Sequence, residues 1–295
     1  PLVLAIPLGR LADRPQRRRF LAGGAAAQLV GCVGLAWSHS LLALGAATAV
    51  LGLGHLALAL GVQAVVARES ADERHDRDFG FLTAGVSLGQ LVGPLLGGFL
   101  VGHADGAALV GASTRALVVA AAFAGCATAL AAAAERLPAP GGDTETARDR
   151  GSVRAILRLP GVPSGLLASV AVLAASDVFT AYLPVLGEQH GIAPAAVGVV
   201  LALRAAATVL ARLGIGRLVT AFGRPRLIAT STLAASAGFA VMTFTSQIWL
   251  LALLGVVVGA GLGYGQPLSM TIVVQRVPLH ARATALGVRL TGNRV

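Results

Sequence analysis

Residues 41–67 read LLALGAATAVLGLGHLALALGVQAVVA, an apolar run without one charged side chain, closed by Arg68. About 20 apolar residues suffice to cross a bilayer as a helix, and such runs recur along the chain. Complete spans are expected at 20–38, 41–67, 79–102, 115–134, 164–186, 195–215, 227–246 and 248–274. Residues 1–8 read as the end of another helix and 283–295 as the start of one more.

Composition agrees. The 295 residues are 56% hydrophobic and 12% charged, with a mean hydropathy of +0.78. A soluble domain carries about twice that charged fraction, so lipid rather than water must solvate most of this surface. The net charge of +10 does not indicate nucleic acid, because the 23 basic residues are all Arg and fall in short clusters between apolar runs. An Arg-, Ala- and Gly-rich chain without Lys suggests a GC-rich bacterial genome. Cys32 and Cys126 sit inside apolar runs and read as packing residues, with neither a disulfide framework nor a metal site. Pro1 in place of an initiator Met, and Val295 inside an apolar pattern, lead us to expect a piece of a longer chain.

The arginines set the orientation. Arg10 to Arg19, Arg68 to Arg77, Arg136 to Arg158, Arg217 to Arg226, and Arg276 with Arg282 occupy every second connection. The intervening connections hold none, with Arg115 bordering one. The positive-inside rule places the arginine-bearing loops in the cytoplasm. The longest of them, 135–163, contains Pro138, Pro140, Gly141 and Gly142 and reads as a flexible linker. Within it, Ser152–Leu159 suits a short helix on the membrane surface. The expected organisation is an N-terminal bundle over 1–134, a linker over 135–163 and a C-terminal bundle over 164–295. An internal repeat supports two halves: Gly9-Arg10-Leu11 ending in Arg17 returns as Gly216-Arg217-Leu218 ending in Arg224.

The first copy, Gly9-Arg10-Leu11-Ala12-Asp13-Arg14-Pro15-Gln16-Arg17-Arg18-Arg19, resembles the G-x-L-x-D-R-x-G-R-R loop of the major facilitator superfamily. Gln16 departs from the pattern, whereas the second copy keeps the glycine as Gly223. The functional positions are Gly9, Leu11, Asp13, Arg14, Arg17 and Arg18. A carboxylate among arginines at a helix end can pair with a cation or sit at the positive N-terminus of a facing helix. The resemblance implies the second arrangement, with the helix beginning near Ala283 as partner and the contact latching the outward-facing state. The plainer reading is that the arginines only set topology. Thr220 stands where the first copy has Asp13, so any latch is asymmetric.

Gly80, Gly89, Gly93, Pro94, Gly97 and Gly98 fit the fifth-helix pattern of antiporter branches of the same superfamily. Gly89, Gly93 and Gly97 leave a flat face that a neighbouring helix can approach, and Pro94 bends the helix. A packing face alone explains this chemistry; antiport is what the resemblance adds. Gly85-Val86-Ser87-Leu88-Gly89 matches the nucleophile elbow of serine hydrolases, but it lies in a continuous apolar helix where that motif needs a strand-to-helix turn.

Ionisable residues at membrane depth are functional candidates. Asp177 and Arg204 each lie nine residues from the hairpin ends at 186 and 195, about 13 Å deep at 1.5 Å per residue. They are expected to pair beside a central cavity, either as a fixed structural pair or with Asp177 as proton acceptor. His55, Gln63, Tyr182 and Gln266 are further candidates for a substrate or proton site, or for hydrogen bonds between helices. Gly261, Gly263, Gly265 and Pro267 predict a bent or broken helix. Arg212 is placed near the cytoplasmic end, where it can snorkel. Thr48 occupies the position where drug–proton antiporters carry a fourth-helix Arg, which weighs against proton exchange. Arg289 lies at the start of the last helix.

The resemblance implies an all-α membrane protein with the major facilitator fold, whose twelve helices form two six-helix bundles. Eight complete helices and two partial ones fall within this chain. It implies alternating access in a monomeric, multi-pass protein of the bacterial inner membrane, without cofactor or metal. The expected function is proton-coupled efflux of small, mostly apolar compounds. Uptake or exchange of a metabolite is the alternative, and a non-transporting membrane sensor or scaffold is a third. Expected partners are a small-molecule substrate, protons and the lipid bilayer, with no nucleic acid. No enzyme motif survives inspection.

Overall fold

The structure, a computed structural model, describes residues 4–13, 17–101, 107–135 and 153–293. These residues form α1 (Ala5–Ala12), α2 (Arg17–Ala36), α3 (Leu41–Glu69), α4 (His75–Val101), α5 (Ala107–Glu135), α6 (Val153–Arg158), α7 (Val162–Gln189), α8 (Pro194–Phe222), α9 (Arg224–Met242), α10 (Ile248–Gly263), α11 (Gly265–Arg276) and α12 (Arg282–Gly292). Short 3₁₀ turns at Asp72–Arg74 and Leu279–Ala281 lead into α4 and α12, and no strand occurs among the described residues.

Among the described residues, six stretches are long and apolar enough to cross a membrane: Arg19–Ala36, Leu41–Glu69, Ala108–Ala134, Val162–Gln189, Ala196–Phe222 and Ile248–Arg276. At the other two expected positions, α4 and α9 are helical over 27 and 19 residues. Large apolar side chains stand outward, Leu41 at 88% and Phe244 at 90% exposure. Water would penalise such a surface and hydrocarbon does not.

Local chemistry sets the boundaries. Ser40 caps α3, its hydroxyl accepting from Ala43 N at 3.2 Å, a bond typically worth about 1 kcal/mol. Gly223 separates α8 from α9 with φ +75°, a conformation that side-chain-bearing residues rarely adopt. That turn lies later than expected: α8 runs to Phe222 rather than ending near 215. Similarly, α5 begins at Ala107, so Arg115 lies inside a helix and not at its edge. The expected break in the helix at 248–274 falls at Tyr264, between α10 and α11. The surface helix expected over Ser152–Leu159 is α6; most of the linker around it lies outside the described residues.

Contact density divides the chain into two compact units. Unit 1 comprises residues 1–70, 92–159 and 277–295. Here α2 packs on α3 and α5, and α12 packs on α1 and α3. The α2–α3 approach is close: a Cβ at Gly24 would lie 2.6 Å from Leu58 N. Leu56 and Leu60 of α3 bury against Ala5, with Leu8, Phe20 and Leu290 around them. Unit 2 comprises residues 71–91 and 160–276. Its α8 packs on α10, α10 on α9, and α11 on α7, around Phe179, Leu183, Val200, Leu251 and Val258. These units group residues by packing, and their bounds differ from those of the expected 1–134 and 164–295 bundles, which count helices along the chain.

The glycine stripe on α4 corrects one expectation. A Cβ at Gly89, Gly93 or Gly97 would meet nothing within 4 Å among the described residues, so no helix of the glycine's own unit approaches closely there. The close approach on α4 is made instead by Gly80, where a Cβ would lie 2.7 Å from Arg212 O. A second stripe serves the α10 interfaces: a Cβ at Gly255 would lie 3.1 Å from Val200, and one at Gly261 would lie 2.6 Å from Ser231 O.

Candidate functional site

In unit 1, α1 ends at Ala12, and Asp13 turns its carboxylate onto the first turn of α12. Ala283 N donates to Oδ1 at 2.8 Å, Thr284 N donates to Oδ2 at 2.8 Å, and the Thr284 hydroxyl donates to Oδ2 at 2.5 Å. The first N–H groups of a helix have no intrahelical acceptor and carry the positive end of its dipole, so a carboxylate satisfies both needs. Arg68 Nη1 donates to the Asp13 carbonyl at 2.7 Å, and Arg282 Nη1 to Ala67 O at 2.6 Å. Gly9 permits this approach, because a Cβ there would lie 2.8 Å from Ala283 O. Burial raises the Asp13 carboxyl above its ordinary value. Hydrogen bonds from Thr284 and Ala283 and the charge of Arg68 pull the other way. Leu11 is 40% exposed. Arg14 lies outside the described residues, as do the side chains of Arg17 and Arg18.

Unit 2 holds the second copy of the loop, with its charges reversed. Thr220, at the Asp13 position, only bonds back to Gly216 O and Arg217 O of its own helix. The carboxylate comes instead from the first turn of α4. Arg224 Nε donates to Asp76 Oδ2 at 2.6 Å, and Arg224 Nη1 to Gln275 Oε1 at 2.7 Å. Gln275 Nε2 in turn reaches Asp72 O at 2.8 Å. The Asp76 side chain is 5% exposed.

Arg212 occupies the interior of unit 2. It does not snorkel: it is 6% exposed, because α8 continues ten residues beyond it, to Phe222. Nε donates to Gly263 O at 3.1 Å, Nη1 to Thr83 O at 2.9 Å and to the Ser87 hydroxyl, and Nη2 to Gln266 Oε1 at 2.9 Å. The Gly263 acceptor has a local cause. In an unbroken helix its partner would be the N–H four residues on, which Pro267 lacks. The guanidinium supplies that donor at the negative end of α10. Ser87 of the hydrolase-like pentapeptide is thus a helix-packing hydroxyl.

The expected Asp177–Arg204 pair is not a contact pair. The two interact electrostatically, but no oxygen–nitrogen distance between them falls within 4.0 Å. Equal depth places two residues on one level, whereas their rotation about the helix axes decides whether they face each other. Arg204 instead lies over the Phe179 ring, 4.9 Å from its centroid, and donates from Nη1 to Thr180 Oγ1 at 3.4 Å. Tyr182 is 47% exposed and lines a groove with Phe179 and Phe239. In unit 1, His55 meets Gln28 at 3.2 Å, and Gln63 is buried with its Oε1 lacking a hydrogen-bond partner. The side chain of Pro94 lies outside the described residues. No cluster of His, Cys, Asp and Glu among the described residues is suited to a metal ion.

Arg212, Asp76, Arg224, Gln275 and Thr284 escaped the sequence reading as site residues. Two signals pointed to Arg212, the missing N–H of Pro267 and the late helix stop at Gly223.

Lipid-facing helices, a glycine-lined helix break, and polar contacts capping helix ends define a multi-pass membrane protein. The Major Facilitator Superfamily model matches residues 1–176 and 165–295, and the chain belongs to that family. A search of curated proteins returned no match. Solved structures with the same fold include the E. coli fucose:proton symporter, at 14% identity and a TM-score of 0.82, covering 99% of this chain and 78% of that one. A human organic anion transporter matches at 17% identity and a TM-score of 0.76, covering 99% and 72%. A bacterial homologue of the iron transporter ferroportin, in its outward-facing state, matches at 16% and 0.62, covering 99% and 76%.

Proposed function

We propose that this chain belongs to a proton-coupled carrier that exports small, mostly apolar compounds across the bacterial inner membrane by alternating access. The 1–134 and 164–295 bundles are its moving parts, joined by the 135–163 linker, and the protein works as a monomer. The observation that carries the reading is the Asp13 carboxylate on the α12 N-terminus, held by three hydrogen bonds. Such a contact is strong enough to favour one conformation and, being polar and near the membrane edge, can be replaced by water when it opens. Asp76 with Arg224 is a second contact of the same kind. The glycine and proline pattern of α4 supports export, and the sparse charge at membrane depth disfavours highly charged substrates.

Uptake or exchange is the second reading. Its support is Thr48, whose hydroxyl bonds back to Leu44 O at 2.8 Å and offers no titratable group where related antiporters place Arg. Proteoliposomes carrying the full-length protein separate the two. Under export, an imposed proton gradient drives accumulation of hydrophobic dyes against their own gradient, and an uncoupler abolishes it. Dye flux indifferent to the uncoupler would overturn proton coupling.

A further inference from the structure

The membrane-depth charges of unit 2 do not balance. Away from the helix ends, its described helices carry two guanidinium groups, Arg204 and Arg212, against one carboxylate, Asp177. Every acceptor on Arg212 is neutral. Arg204 and Arg212 repel each other, and Asp177 attracts Arg204 from beyond contact distance. The net local charge is one positive unit.

Hydrogen bonding is uneven between the two cations. Arg212 spends its Nε and both terminal nitrogens on four acceptors. Arg204 makes a single long hydrogen bond, to Thr180, and its Nε is buried without an acceptor. Arg204 is only partly buried, so an anion arriving from the exposed side can add to the partners of this guanidinium. Its position suits one kind of anion. The Phe179 ring under Arg204 is also a wall of a small open groove, lined further by Tyr182, Leu183, Leu186, Phe239, Met242 and Thr243. Arg204 does not itself line the groove; the Phe179 ring is the side chain that touches both.

We propose that Arg204 binds the acidic group of a substrate that carries one carboxylate or sulfonate on a small aromatic body, with the body in the Phe179–Phe239 groove. This rests on the carrier reading above and names its substrate class. Asp177 opposes the ligand's charge, so it weakens anion binding without contacting the anion.

Calorimetric titration of the purified full-length protein with 2-naphthoate, 2-naphthamide and laurate tests this without any gradient. Wild type is expected to bind naphthoate about tenfold more tightly than the amide. Arg204→Gln should abolish that preference, Arg204→Lys retain part of it, and Asp177→Asn increase naphthoate affinity. Equal affinity for naphthoate and naphthamide in wild type, or an unchanged preference in a folded Arg204→Gln protein, would overturn the site. Laurate binding as tightly as naphthoate would overturn the aromatic class in favour of a bilayer-derived acid. Gradient-independent dye flux with the preference intact would sink proton-coupled export alone.

Discussion

Asp76 and Arg224 meet at 2.6 Å, and this pair inverts the polarity of the contact that Asp13 makes with α12. In the first repeat the loop supplies the acid and the helix start supplies the donors. In the second, the loop supplies the cation and the helix start supplies the acid. Asp76 is nearly buried, while Arg224 remains 31% exposed, so solvent screens part of the attraction. A thermal double-mutant cycle with Asp76→Asn and Arg224→Gln should give a coupling of about 1–2 kcal/mol. Strictly additive losses would show that the two side chains do not act as a pair.

Asp13 should behave differently, because its partners are mostly backbone. Asp13→Asn keeps one carbonyl oxygen but turns an amide N–H₂ toward a donor, so one of the α12 N–H groups loses its acceptor. The expected cost is about 2 kcal/mol. Hydrogen exchange of the Ala283 and Thr284 amides should then accelerate by at least about tenfold. Unchanged exchange at both amides would remove the latch from the mechanism.

The helices were legible because apolar length is a local property: eight runs written along the chain correspond to helices at eight places. Partners were harder. Nothing in Arg282–Gly292 marks a carboxylate receptor beyond the free N–H groups that every helix start has, and the α12 partner of Asp13 came from family resemblance alone. Arg212 was misplaced through an error of a few residues at the end of α8, which turned a buried hub into a surface anchor. Asp177 and Arg204 were matched by depth, but a helix turns about 100° per residue. Depth alone leaves rotation undetermined. The α4 glycines failed for a related reason, since a small-residue face permits close approach but does not name a neighbour.

That distinction is measurable on two glycines. A Cβ at Gly261 would lie 2.6 Å from Ser231 O and 3.0 Å from the Ala235 side chain, whereas one at Gly89 would meet open space. Gly261→Ala should lower stability by about 1–3 kcal/mol through overpacking. Gly89→Ala should leave it unchanged or raise it by up to about 1 kcal/mol, by relieving the glycine penalty in a helix. Comparable destabilisation by both in a thermal melt would contradict the packing described for α4.

The Arg212 network makes the sharpest demand, because its logic depends on a proton that Pro267 does not have. Arg212→Met removes the donor to Gly263 O and leaves the Ser87 and Gln266 side chains without it, an expected loss of about 3 kcal/mol or more. Arg212→Lys should recover only part, since an ammonium cannot span acceptors on α4, α10 and α11 as a planar fork does. The informative variant is Pro267→Ala in the Arg212→Met background. It returns an N–H four residues after Gly263 and lets α10 run into α11, so it should restore thermal stability, although the same change in wild type sets two donors competing for one carbonyl. If Pro267→Ala lowered the melting temperature equally in both backgrounds, the proline and the arginine would be independent, and the guanidinium would not be standing in for the missing backbone donor.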